Sequence, residues 1–388
     1  MSESIRFVDL IQSRIDGFFD ARASILVSIA DELSPVAAFS REFLSGGKRF
    51  RALFCFWGWQ AVRTAGDEGD DGSDSGAVTA GGAVTAGGAV TAGGALDAVV
   101  SVASALELFH AAALVHDDLI DNSDTRRGKP AAHKRFEHLH ESEGWGGSGA
   151  TFGTGAATLL GDLLLILSDE LFDEGLTQLV SAPARRATRA EFNRMRIDVT
   201  AGQYLDIFEE IGWSGRPNSE QLERAERVIV YKSAKYSIES PLLIGASLAG
   251  ATVGQLESLR AFGLPLGIAY QLRDDLLGVF GDADVTGKPS GDDLREGKRT
   301  VLIALTRQAI PSGARAALDE LLGDPELTPE QIRTMQLTIR ESGAVDTVER
   351  MIADNVARAI EALDAAPLGA AAKGQLRELA IAVTRRSA

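Results

Sequence analysis

Residues 105–130, ALELFHAAALVHDDLIDNSDTRRGKP, place Asp117, Asp118, Asp121 and Asp124 just ahead of Arg126 and Arg127. On a helix, Asp117 and Asp121 stack one turn apart, where unpaired carboxylates repel. They fall at the C-terminal end, which disfavours negative charge. An arbitrary DD pair is most often a solvated helix end. Here the run before it is apolar for about three turns, which buries the helix. Hard oxygen ligands at one-turn spacing suit Mg²⁺, which takes one or two carboxylates and completes its shell with water and phosphate oxygens. The arginine fork matches phosphate oxygens bidentately. RRG by itself reads equally well as a surface turn. Carboxylates, divalent ion and arginines together read as a diphosphate clamp.

A second acidic cluster, GIAYQLRDDLLGVFGDADVTGKPSGDDLREGKRT, spans 267–300. Asp274 and Asp275 sit on a helix ended by Gly281. The position one turn on is Gly278, so the one-turn pair is missing; Asp282, two turns on, returns to roughly the same face. Lys288 and Lys298 follow in a Gly/Asp-rich loop. TGKP is no phosphate-binding P-loop, because Asp282 stands where the first glycine belongs and Pro289 replaces the Ser/Thr. GWGGSG at 144–149 has no strand before it and does not read as a dinucleotide fingerprint.

The elements that must hold these residues are helices. Apolar residues recur at three and four, as in DTVERMIADNVARAIEAL, alanine is abundant and strand signals are scarce. The expected fold class is all-α, with helices near 8–32, 48–63, 96–122, 156–176, 186–210, 219–250 and 254–281, then onward to 383. Asn218 with Gln221 forms a cap signature, and Pro241 should kink the helix it lies in. Two segments break the pattern. Residues 64–95 hold AVTAGG three times and read as a flexible low-complexity loop, and 141–156 read as a Gly-rich connector. Neither looks like a domain boundary, so residues 1–388 are expected to form a single domain.

Composition narrows the partners. A net charge of -16 disfavours nucleic acid and anionic membrane. One cysteine, Cys55, rules out a disulfide framework within the chain and fits a reducing, cytoplasmic setting. The N-terminus is no signal peptide, and no apolar run approaches the roughly 20 residues that span a bilayer. The expectation is no integral membrane protein.

With GGKRFR at 46–51, HDDLIDNSDTRRG at 116–128, GQYLD at 202–206, YKSA at 231–234 and YQLRDDLLGVFGD followed by GKPSGDDLREGKRT, the sequence resembles the trans-isoprenyl diphosphate synthases, the polyprenyl synthetase family. Its geranylgeranyl diphosphate synthases of bacteria are the most alike. The resemblance implies a bundle of roughly ten or more helices around a deep central cavity and a homodimer. It implies Mg²⁺-dependent condensation of isopentenyl diphosphate with an allylic diphosphate (dimethylallyl, geranyl or farnesyl).

Three Mg²⁺ ions are implied, held by Asp117, Asp121 and Asp274, with Asp118 supporting and Asp275 nearby. The allylic diphosphate would meet Arg126, Lys232, Lys288 and Lys298. Isopentenyl diphosphate would meet Lys48, Arg51, His110 and Arg127. Gln271, Ser233 and the Lys232 backbone would face the developing allylic cation. His110, seven residues before Asp117, also lies on the same helix face by spacing alone, although a lone buried histidine is more often a satisfied core residue.

The chain departs from the family at Ala52 for Pro, Ser233 for Thr, Tyr270 for Phe and Gly278 for the last Asp of the second motif. Product length is expected to be set below Asp117. Ala112 and Ala113 leave the first turn open, and Phe109, eight residues down and about 12 Å away, would be the floor for a twenty-carbon product. If Phe109 packs elsewhere, the product is longer. Two rivals are a class I terpene cyclase and a non-catalytic partner subunit. Lys48, Arg51, His110 and the second Asp pair count against the first, and the presence of both acidic motifs counts against the second.

Overall fold

The computed structural model describes residues 2–67, 92–126, 128–281 and 290–385. Helix α1 (Ser2–Ile29) buries Phe7, Ile11, Ile15, Phe18 and Phe19 along one stripe, the spacing of an amphipathic helix. After α2 (Ser34–Phe43), α3 (Phe50–Asp67) is buried on nearly every side. Helix α4 (Ala92–Ile120) is the central rod, packed against α6 (Gly149–Thr177) more extensively than any other pair. The two-residue strands β1 (Thr125–Arg126) and β2 (Lys129–Pro130) pair antiparallel and turn the chain into α5 (Ala132–Ser142). Helix α7 (Ala182–Gly212) starts at a Ser181 side-chain cap. Next come α8 (Gln221–Val228), a π-helical segment Ile229–Glu239, α9 (Ser240–Leu248) and α10 (Val253–Phe280). Further helices continue to Thr384.

Two apolar clusters organise the bundle. One gathers α1, α3, α4, α6 and α9; the other gathers the C-terminal half of α10 with residues 294–352. The acidic ends of α4 and α10 lie where the Asp292–Glu296 helix and its following loop bring the second cluster against the first.

Several expectations change in detail. The loop read over 64–95 is shorter at both ends, since α3 runs to Asp67 and α4 begins at Ala92; residues 68–91 lie outside the described residues. The connector read over 141–156 is confined to 143–148. The Ser148 hydroxyl accepts from Thr151 N–H, and Ala157, Leu160, Leu164 and Leu171 then give α6 a buried face despite its glycines. Asn218 does not cap through Gln221. It opens a single 3₁₀ turn without a side-chain capping bond, while capping boxes lie at Thr252 with Gln255 and at Thr328 with Gln331.

Pro241 does interrupt its helix. The eleven residues Ile229–Glu239 follow a π-helical path, and Pro241 falls in the first turn of α9, which begins at Ser240. Two stretches, Gly94–Ile120 and Gly149–Thr177, are in fact long and apolar enough to cross a membrane by length and composition. The most apolar window of the first is 83% buried and that of the second 33%, so the first is core and the second presents an apolar face outward.

Candidate active site

The Asp-rich end of α4 is organised by cations from three other elements. Asp118 is fully buried and takes a two-nitrogen grip from Arg126, whose Nε donates at 2.8 Å; Arg126 Nη2 also reaches Asp117 Oδ2 at 3.3 Å. Burial opposes the Arg126 charge, but Asp118 and Asp117 outweigh it and raise its pKa. The β1–β2 turn exists to bring this arginine back over the helix end. Asp124 turns away, to His133 and Lys134.

From the π-helical segment, Lys232 reaches Asp117 Oδ1 at 3.5 Å and pairs more closely with Asp206 on α7. Helix α7 and this segment touch backbone to backbone at Gly202, where a side-chain carbon would overlap the Lys232 backbone. That contact explains why a glycine opens GQYLD. Ser233 follows Lys232 on the same segment.

Lys298 ties the end of α4 to the short Asp292–Glu296 helix. Its Nζ lies 3.2 Å from Asp121 Oδ2 and 3.8 Å from Asp293 Oδ1, and it also pairs with Glu296. Asp293 in turn occupies the ground beside α10 that a side chain at 278 would need, for a Cβ there would overlap its carboxylate. One turn earlier, Asp275 is buried and accepts from Gln271 Nε2 at 2.8 Å, while Asp274 is exposed. Burial, with Asp293 next, pushes the Asp275 carboxyl well above its usual range. The Lys298 ammonium is held well above its usual value, burial opposing and Asp293, Asp121 and Glu296 prevailing.

The GGKRFR loop is bolted from below. Arg49, at the left-handed φ of 50°, is buried against Glu107, with Nη1 to Oε2 at 3.2 Å, and donates to Gln12 and the Leu44 carbonyl. Glu107, in the buried middle of α4, also accepts from Ala52 N–H. Lys48 is thereby left exposed, and Arg51 turns inward to donate to Ser237 Oγ at 3.0 Å. His110 Nδ1 lies 3.0 Å from the Tyr236 hydroxyl. Phe109 is buried edge-on to Tyr236 and Phe192, the latter stacked on Phe172 at 4.0 Å; Ala112 is buried and Ala113 half-buried. An aromatic row therefore crosses the bundle interior two turns of α4 below Asp117.

The geometry brings together Asp117, Asp118, Asp121, Arg126, Lys232 and Lys298, and Asp293 and Lys298 link this group to Asp275, held by Gln271, on α10; Asp274, the next residue, is exposed. Arg127, Asp282 and Lys288 lie outside the described residues. Sequence reasoning missed Asp293, Glu296, Tyr236 and Glu210. Burial and then Asp206 raise the Glu210 carboxyl to about 7. Only the repeated acid in GDDLREGK and the one-turn spacing of Glu210 from Asp206 hinted at any of them. Two surface grooves have other linings, one of about 740 Å³ including Ile229, Leu272 and Met351, so chemistry rather than void volume marks the site.

The donors fit magnesium. Asp117 and Asp121 offer hard carboxylate oxygens on one face, and burial raises the Asp121 carboxyl against Lys298, with Asp117 adding to the rise, a charge strain that a dication relieves. Among the described residues no three His, Cys, Asp or Glu side chains form a ready-made cage.

The family model for polyprenyl synthetase matches residues 35–338. A putative geranylgeranyl pyrophosphate synthase 8, chloroplastic, of Arabidopsis thaliana is 31% identical over 308 residues, 77% of this chain and 71% of that protein. A geranylgeranyl diphosphate synthase of Sulfolobus acidocaldarius is 31% identical over 230 residues, 59% of this chain and 62% of its own. Among solved structures, a geranylgeranyl pyrophosphate synthase of Corynebacterium glutamicum, complexed with isoprenyl diphosphate and magnesium, superposes with a TM-score of 0.85 at 35% identity, covering 98% of this chain and 99% of that one.

Proposed function

This chain belongs to the polyprenyl synthetase family, and from that premise we propose that it condenses isopentenyl diphosphate with an allylic diphosphate to give geranylgeranyl diphosphate. The observation that carries the reading is Lys298, lodged between the acidic ends of two helices, with Lys232 and Arg126 closing the same space. Asp117, Asp121 and Asp274 would hold Mg²⁺, three ions being the expected complement. Bound Mg²⁺ neutralises negative charge growing on the departing diphosphate.

The chain's own groups do the rest. Lys232 and Lys298 keep permanent positive charge aimed where the leaving group's charge develops, which is preorganised electrostatic catalysis. Gln271 and Ser233 present dipoles towards the allylic carbon. Arg51, His110 and Lys48 bind the isopentenyl diphosphate, and the apolar walls of α4 keep water from the cation. The released diphosphate takes the proton. Phe109 would stop the tail at twenty carbons.

The chain also acts as a homodimer in this reading. Exposed apolar residues recur every seven positions on α6 (Phe152, Leu159, Ile166) and on α7 (Ile197, Tyr204, Ile211), so each set lines one face. Faces of this kind mark protein partners.

The deciding assay gives the purified protein labelled isopentenyl diphosphate, farnesyl diphosphate and Mg²⁺. A labelled twenty-carbon diphosphate, abolished by EDTA, is expected. A cyclised hydrocarbon would make the protein a cyclase, and no product at all a non-catalytic subunit; either result ends this reading.

A further inference from the structure

Tyr236 stands between two groups assigned to isopentenyl diphosphate. Its hydroxyl is 3.0 Å from His110 Nδ1, and the Arg51 guanidinium lies over its ring, 4.3 Å from the centroid. Arg51 is further fixed by Ser237, the next residue, while its buried Nε has no partner among the described residues. The ring itself is wedged, packing edge-on against Phe109 at 5.8 Å. Burial pushes the phenol up to about 12, against the pull of Arg51, so the hydroxyl stays a neutral hydrogen-bonding group. The π-helical segment supplies both Lys232 to the aspartates and Tyr236 to this pair.

We propose that Tyr236 is a positioning residue for isopentenyl diphosphate, setting the plane of Arg51 with its ring and the tautomer of His110 with its hydroxyl. A phenol O–H donated to Nδ1 leaves the imidazole proton on Nε2, the form that donates to a phosphate oxygen. A guanidinium held over an aromatic face leaves the in-plane N–H groups not given to Ser237 available for the same anion. The proposal rests on the isopentenyl site assigned above.

Two variants separate the contributions. Tyr236→Phe keeps the ring and removes the hydroxyl; it should raise KM for isopentenyl diphosphate about fivefold, the worth of one hydrogen bond. Tyr236→Leu also removes the ring face and should raise that KM by a further factor of about three to ten. KM for the allylic diphosphate and the melting temperature of Tyr236→Phe should hold. ¹⁵N NMR of the His110 imidazole should show the Nε2–H tautomer in the wild type and a mixture in Tyr236→Phe. An unchanged isopentenyl KM in both variants, or both substrates' KM rising together with a falling melting temperature, overturns the assignment. A wild type that consumes no isopentenyl diphosphate overturns the functional reading beneath it and this one with it.

Discussion

At the scale of single residues, the site is a balance of buried charges that are partnered before any substrate arrives. Arg126 is informative because the sequence offered it as a diphosphate ligand, whereas the fold sets it on Asp118 and Asp117. A fully buried carboxylate such as Asp118 needs a cation beside it, and the β-turn after α4 delivers one. Phe109 is the residue whose role is easiest to test. Its ring sits in an aromatic row with Tyr236, Phe192 and Phe172, so truncation should open the shaft below Ala112. Phe109→Ala is expected to extend the product by one or more five-carbon units, read by reversed-phase chromatography of the dephosphorylated alcohols. Products of unchanged length would take the floor away from Phe109. The same change removes a large buried ring and should lower stability by about 3–5 kcal/mol, so chain length is measured at reduced temperature.

At the scale of elements, the π-helical segment Ile229–Glu239 is the part no pattern announced. Period analysis sees only an apolar stripe, and Pro241 announces an interruption without saying how the backbone meets it. Wide turns of this kind recur at functional sites, and this one carries Lys232, Ser233 and Tyr236. It is docked on α7 by two ion pairs, Lys232 with Asp206 and Lys235 with Asp198 at 2.9 Å, on either side of Gly202. Gly202→Ala would force the two backbones apart. The expected cost is about 1–3 kcal/mol of stability from overpacking, with a fall in kcat greater than a surface Gly→Ala change gives, because Lys232 moves with its backbone. Thermal melts and steady-state kinetics read the two effects; a fully active, fully stable variant would mean the contact is not needed.

At the scale of the whole molecule, the exposed stripes of α6 and α7 ask for a cover. The two helices are tied together by the Phe172–Phe192 stack and by Arg189 and Arg196 on Asp169. Light scattering should give a mass twice 41.1 kDa for the wild type. Leu159→Glu with Ile166→Glu should drop it towards one chain, charge in an apolar interface being costly. A wild type that runs as a single chain would remove the dimer.

Much of the protein is legible in its sequence. The helical class follows from period and composition, which act locally. The one-turn pairing of Asp117 and Asp121, and the stop at Gly281, follow from covalent spacing along one helix. The missing acid at 278 was legible too, but its sequel was not. Asp293 fills that ground from another segment, and Ser123 meets Glu296, 3.1 Å apart in space and 173 residues apart in the chain. Spacing within a helix is fixed by the backbone's own geometry. Which helix ends converge on Lys298, and which loop faces which, depends on how separate apolar faces pack together, and only the tertiary structure decides that.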